Sequence, residues 1–157
     1  MTIQFWTIGK GHEPYIEAGI NDFTKRVNNY FTTNWKIIAS PRNTASLSEE
    51  DLKRKEAETV LKAITAHDYL VALDGKGKQF TSQQLATFIQ KRANESVKQL
   101  IILIGGAYGI DNSVIKRANA IWSLSDLTFP HQLVRLILAE QVYRACTIIR
   151  NEKYHHG

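Results

Sequence analysis

The chain has 157 residues, 43% of them hydrophobic and 22% charged, with one cysteine. That length predicts a single domain over 1–157, with a core large enough to need no disulfides. Cys146 alone excludes an intramolecular disulfide framework and a multi-cysteine zinc site, so no metal is expected and the thiol is assigned to packing. The longest strongly apolar stretch, Leu100 to Gly106, is far short of the ~20 residues of a membrane span. Met1 to Lys10 lacks the basic-then-apolar order of a signal peptide, and a soluble cytoplasmic protein is expected.

Twenty Lys and Arg against fifteen Asp and Glu leave a formal charge of +5. Residues 1–70 hold nine of each sign, whereas residues 71–157 hold eleven basic and six acidic side chains. A basic excess confined to one half fits an anionic partner such as RNA, and on charge alone it fits chance equally well.

Strand and helix patterns alternate along the chain. Ile3, Phe5, Trp6 and Ile8 mark a first strand that stops at Gly9-Lys10-Gly11. After Pro14, Tyr15, Ile16, Ile20, Phe23 and Val27 recur at helical spacing. Trp35 to Ala39 predicts a second strand ended by Ser40-Pro41, and residues 41–47 a polar loop. Ser48-x-x-Asp51 reads as a capping box opening a helix to about Ala66. Tyr69 to Leu73 predicts a strand ending at Asp74-Gly75-Lys76-Gly77-Lys78. Thr81-x-x-Gln84 caps a helix with Leu85, Phe88 and Ile89 on one face. Leu100 to Ile104 predicts a strand running into Gly105-Gly106. A short helix over about 112–119, a strand over 121–124 and a last helix from Pro130 to about Ile149 complete the chain. There are no repeats, low-complexity tracts or linkers. Continuous apolar strands alternating with helices predict an α/β fold with a largely parallel sheet.

In such sheets ligands bind beyond the carboxyl ends of the strands. Three ends stand out: Leu73-Asp74-Gly75, Gly105-Gly106-Ala107-Tyr108-Gly109 and Ser125-Asp126-Leu127-Thr128-Phe129-Pro130. The spacing Gly-Gly-x-x-Gly matches neither the dinucleotide fingerprint nor the phosphate loop, so a tight structural turn competes with a ligand loop. The last helix is apolar in nearly every direction, which predicts burial on all sides and hence a dimer interface. His131 and Arg135 lie one turn apart, and Glu140, Arg144 and Thr147 cluster on another side. A Glu140–Arg144 pair on so apolar a helix is expected to be buried or to face a site, against the bland reading of a surface bridge. The tail Tyr154-His155-His156-Gly157 is either an incidental, disordered end or an aromatic and imidazole set able to stack on a base and move protons.

Taken in order, Ile104-Gly105-Gly106-Ala107-Tyr108-Gly109, Trp122-Ser123-Leu124-Ser125, Leu127-Thr128-Phe129-Pro130-His131, Leu133-Val134-Arg135, Glu140-Gln141-Val142-Tyr143-Arg144-Ala145 and Tyr154-His155 resemble one family over essentially the whole chain. It is the ribosomal large subunit RNA pseudouridine N3-methyltransferase family (RlmH type) of the SPOUT class. The resemblance implies an α/β domain whose C-terminal part, about 70–157, is tied in a trefoil knot. It implies a homodimer that binds S-adenosylmethionine and methylates a pseudouridine of 23S rRNA on the assembled ribosome.

The cofactor positions that carry over are Leu73, Gly106 and Ser125, Asp126, Leu127, Thr128, Phe129 and Pro130, with Gly105 as a neighbour. Two departures stand out: Ala107-Tyr108 replaces the Pro-Glu or similar pair frequent in the family, and His156-Gly157 replaces a common Arg or Lys followed by Glu. For the chemistry, Arg144 is the candidate cation and Glu140 its orienting partner. His131 or His155 is the candidate base, and Tyr154 a contact to the nucleotide. Two other classes compete: an RNA- or ribosome-binding factor without methyl transfer, and a nucleotide-binding oxidoreductase, the latter weakened by the missing fingerprint.

Overall fold

Alternation within the strands sets the layers. In Gln99–Ile104, Leu100, Ile102 and Ile104 belong to one buried cluster while Ile101 and Leu103 belong to another, because successive side chains of a strand point to opposite faces. Both faces must therefore be covered. The protein, described by a computed structural model over residues 1–42 and 44–157, covers them with helices on each side.

The elements in order are β1 (Thr2–Ile8), α1 (Pro14–Val27), β2 (Thr33–Ile38), α2 (Glu49–Ala63), β3 (Tyr69–Lys78), α3 (Ser82–Asn94), β4 (Gln99–Ile104), α4 (Asn112–Arg117), β5 (Ala120–Trp122) and α5 (His131–Ile149). All strand pairs are parallel, in the order β2-β1-β4-β3-β5. The α/β class with a parallel sheet is as the apolar strands predict. Helices α1, α3 and α5 pack together on one face. Val60 of α2 and Val114 of α4 join Trp6, Leu70 and Leu103 on the other.

Several boundaries differ from the sequence reading, each for a local reason. The helix expected to reach Ala66 stops at Ala63, because Ile64 turns to extended backbone and Thr65 N–H donates to the Asp68 carboxylate. Asn119 is not helical. Its N–H donates to the Leu70 carbonyl and its side-chain oxygen accepts from Leu70 N–H, stitching the start of β5 to β3. β5 stops at Trp122 rather than Leu124, and β2 is shifted towards its start, to Thr33–Ile38. Pro130 caps α5 in extended backbone instead of forming its first turn. Within the loop expected over 41–47, Thr44–Ser46 form a short 3-10 turn, and Asn43 lies outside the described residues.

The largest difference is in β3. Asp74 to Lys78 is no plain turn: after a bulge the strand returns to β5, with both Leu73 and Lys78 in register with Trp122. Gly77 makes this possible, since a Cβ there would lie 2.5 Å from the Trp122 carbonyl carbon and 2.7 Å from Ile121 backbone. Cys146 is buried, and burial pushes its thiol up to about 12, which keeps it inert.

Candidate active site

The carboxyl ends of β3, β4 and β5 meet around one cleft of about 430 Å³. It is lined by Leu73, Asp74 and Gly75 after β3, by Ile104 to Ala107 and Gly109 after β4, by Ser123 to Phe129 after β5, and by His131 and Val134 of α5. The cleft thus gathers eight of the nine residues expected to hold a cofactor. Pro130 is the exception, set behind the cleft as the cap of α5.

The two loops are shaped before any ligand arrives. Gly109 N–H donates to the Gly106 carbonyl at 3.1 Å, with Gly109 at φ +90°, a conformation that L side chains rarely adopt. A Cβ at Gly105 would come within 2.6 Å of Ile110. In the second loop Ser125 Oγ accepts from Leu127 N–H at 3.0 Å, and Gln79 donates to the Asp126 carboxylate at 2.7 Å. Leu127 itself is 72% exposed.

Behind the glycine loop lies a residue that sequence reasoning missed. Glu56 of α2 is only 5% exposed, and its carboxylate accepts one hydrogen bond, from Ser40 Oγ at 3.2 Å. Burial pushes its pKa up, and the Ser40 bond opposes this in part. A Cβ at Gly106 would meet the Glu56 oxygens at 2.9 and 3.1 Å, so the tightest constraint on this glycine comes from behind the loop, not from the cleft. A buried acid on a charged helix face carries no periodic signal, which is why the pattern hid it.

The cleft's charge is opposite to the chain's. Its lining includes the carboxylates of Asp74 and Asp126 and no Lys or Arg. Such walls suit a ligand bearing positive charge and disfavour a phosphate-bearing dinucleotide, which removes the oxidoreductase reading. Glycine-lined backbone, an apolar floor and two carboxylates fit a nucleoside that carries a sulfonium and an amino group.

The residues expected to be catalytic fall into two places. His131, exposed at the start of α5, lines the cleft. Glu140, Arg144, Tyr154 and His155 form a separate cluster further along the helix. Arg144 donates to Glu140 Oε1 through Nε at 3.0 Å and Nη2 at 2.5 Å, and Tyr154 OH donates to the same oxygen at 3.1 Å. The Arg144 guanidinium lies over the Tyr154 ring, 4.7 Å from its centroid, and Tyr154 packs edge-on to Tyr143. His155 Nδ1 is 3.2 Å from Arg144 Nη1. Burial and the neighbouring Glu140 carboxylate push the Tyr154 phenol up, so it remains a donor. The tail is therefore packed, not a loose end. His131 and Arg144 stand thirteen residues apart on one helix, about 20 Å at ~1.5 Å per residue.

Arg135, paired with His131 in the sequence reading, turns the other way. It is 2% exposed, donating to the Lys10 carbonyl at 2.8 Å and contacting His12 Nδ1 at 3.2 Å. Burial, then the adjacent Arg135 charge, lower the His12 pKa. Together with Gln132, which bonds Gly11 and Glu13, these contacts strap the loop after β1 to the start of α5. Among the described residues no group of His, Cys, Asp and Glu could hold a metal, and no helix is long and apolar enough to cross a membrane.

Comparison with known proteins agrees with the cleft. Residues 1–155 match the family model described as predicted SPOUT methyltransferase. A protein of Cytophaga hutchinsonii named ribosomal RNA large subunit methyltransferase H is 46% identical over 156 residues, covering 99% of this chain and 100% of that protein. Proteins of the same name from Parabacteroides distasonis and Trichlorobacter lovleyi are 44% and 37% identical, each over 99% of this chain and at least 99% of their own length.

Proposed function

The chain belongs to the SPOUT methyltransferase family, and from that premise we propose that it methylates RNA of the large ribosomal subunit, at N3 of a pseudouridine in 23S rRNA on assembled ribosomes. The observation that carries this reading is the pairing of an acidic, glycine-lined cleft at the strand ends with a preformed Arg–Glu–Tyr–His cluster. The relatives' printed names supply the RNA.

S-adenosylmethionine is the methyl donor that fits the cleft; it supplies a carbon activated by the sulfonium, so N3–C bond formation and C–S bond breaking leave a neutral thioether. The residues that would hold it are Leu73, Gly105, Gly106 and Ser125 to Phe129, with Pro130 fixing the loop's exit. Asp74 and Asp126 complement its positive charge. The remaining work belongs to the chain's own side chains. N3 must lose its proton, and the His131 imidazole at the cleft is placed to accept it and pass it to water. Arg144, held by Glu140, offers N–H donors to the imide oxygens as negative charge develops there. Tyr154 supplies an aromatic face to the base.

A single chain keeps Arg144 about 20 Å along α5 from the cleft, so we assign the working site to two copies. The tail of one protomer completes the cleft of its partner. Leu127, exposed, and Leu133 and Ile137, half-exposed on α5, supply apolar surface for that homodimer. The knot over about 70–157 and a cytoplasmic location belong to the same proposal.

Incubation with ribosomes lacking the modification, followed by mass mapping of the rRNA, tests the reading. One added methyl group on a pseudouridine of the large-subunit RNA is expected. Calorimetry with S-adenosylmethionine separates it from an RNA-binding factor, which would show no binding.

A further inference from the structure

The tail cluster contains a donor–acceptor conflict whose resolution assigns a role. His155 Nδ1 faces Arg144 Nη1 at 3.2 Å, and His155 Nε2 faces Gln83 Nε2 at 3.0 Å. A guanidinium has donors only, and a neutral imidazole has one donor and one acceptor nitrogen. A neutral ring therefore accepts from Arg144 or from Gln83, not from both. Arg144 cannot reverse its polarity, whereas a side-chain amide turns over with almost no change of shape. Nδ1 is the acceptor, Nε2 carries the proton, and Gln83 presents its oxygen to it. The turn gives up the Gln83 contact with the Gly157 main-chain oxygen at 2.9 Å, which is exposed, so water takes its place.

We propose that His155 works as a hydrogen-bond donor through Nε2–H, its tautomer fixed by Arg144, and that the Gln83 amide oxygen holds in the resting chain the position that a pyrimidine imide oxygen takes in the substrate complex. This rests on the methylation reading and deepens it. The exchange replaces one sp² carbonyl oxygen with another, so the buried side of the cluster keeps its partners throughout. His155 has no lone pair to spare, because its only one faces Arg144. The proton that leaves N3 as the N3–C bond forms and the C–S bond breaks therefore goes to His131, and from there to water. Of the two candidate bases, the cluster makes one a donor. Gln83, in the first turn of α3 beside the cap residue, is a positioning residue that the hydrophobic pattern could not single out.

The first test needs no substrate. Nitrogen-15 correlation spectra of the full-length protein, with histidine labelled, should show His155 as a neutral ring protonated at Nε2. A ring protonated at Nδ1, or at both nitrogens near neutral pH, overturns the proposal. The second test is kinetic, on ribosomes. Gln in place of His155 still offers an acceptor to Arg144 and an N–H to substrate, so His155→Gln should keep kcat within about tenfold of the parent. His155→Ala should lose more than a hundredfold. Equal losses in both variants overturn the donor role, since removing a general base costs ~10²–10⁴ whatever replaces it. Gln83→Ala removes the competitor and should lower the KM for ribosomes a few-fold, the change appearing in KM rather than kcat. An unchanged or raised KM shows that Gln83 merely anchors the tail. Failure of the methylation reading is separable: wild-type protein would then give no product, while the tautomer spectrum is unaffected.

Discussion

Gly106→Ala is the substitution whose consequence the structure fixes most closely. The new Cβ would sit 2.9 and 3.1 Å from the two Glu56 oxygens and 3.3 Å from its carboxyl carbon. Contact below 3.0 Å is not tolerated, so the acid or the loop must move. Glu56 is the end of a flexible side chain, but it is 5% exposed and tied to Ser40, so part of the displacement passes to the loop. Overpacking of this kind costs about 1–3 kcal/mol. In a chain of 157 residues each kcal/mol lowers Tm by ~2–4 °C. Because Gly106 also lines the cleft, affinity for S-adenosylmethionine should fall about tenfold or more, and further for Gly106→Val. Truncating the acid should return the room: Glu56→Ala combined with Gly106→Ala should recover stability relative to the sum of the single changes, with a coupling of about 1 kcal/mol or more. Thermal unfolding of the four proteins, with calorimetric titration alongside, measures both quantities. Strict additivity would refute the assignment of Glu56 as the neighbour that makes this glycine obligatory.

Three other outcomes are expected. Gly77→Ala meets backbone at 2.5 Å rather than a movable side chain, so it should cost more stability than Gly106→Ala and weaken donor binding by moving the 123–125 wall; a variant with wild-type Tm refutes the close approach of β3 to β5. Glu56 binds its proton more tightly folded than unfolded, so it lowers stability as pH rises from its unfolded value, ~4.3, through its raised folded value. The Tm of Glu56→Gln relative to wild type should accordingly climb over that window, and a flat difference contradicts the burial argument. Deleting residues 154–157 should abolish methylation with dimerisation and donor binding nearly intact, and a mixed dimer of a tail-deleted chain with a Gly106→Val chain should retain one working site. A dead mixed dimer would mean that each cleft uses its own tail.

The layered sheet was legible because its signal is redundant. Leu100 to Ile104 is apolar at every position, as a strand covered on both faces requires, and Thr81-x-x-Gln84 forms the capping box that its spacing predicts. The cleft followed from the rule that ligands sit at strand carboxyl ends. What escaped depends on contacts between distant segments. The return of β3 to β5 is set by the Gly77 approach to Trp122, which no local pattern encodes. Glu56 and Gln83 look like ordinary helix-surface residues until α2 and α3 are placed against the glycine loop and the tail. The apolar last helix also misled in part, since within one chain its buried face, Leu138, Ala139, Val142, Ala145 and Cys146, packs on α1 and α3.

Separation of charge explains why one chain is not enough. A methyl donor bearing positive charge is favoured by the Asp74 and Asp126 carboxylates, and a guanidinium held permanently in the same cleft would work against it. An imide that develops negative charge during the reaction requires a cation all the same. Placing Arg144 about 20 Å along α5, neutralised by Glu140 and stacked on Tyr154, resolves the conflict: the donor cleft forms without the cation, and the cation arrives with the RNA-facing tail of the partner. On this geometry neither half performs the transfer alone, and dimerisation, rather than a conformational change within one chain, brings the two charge environments together.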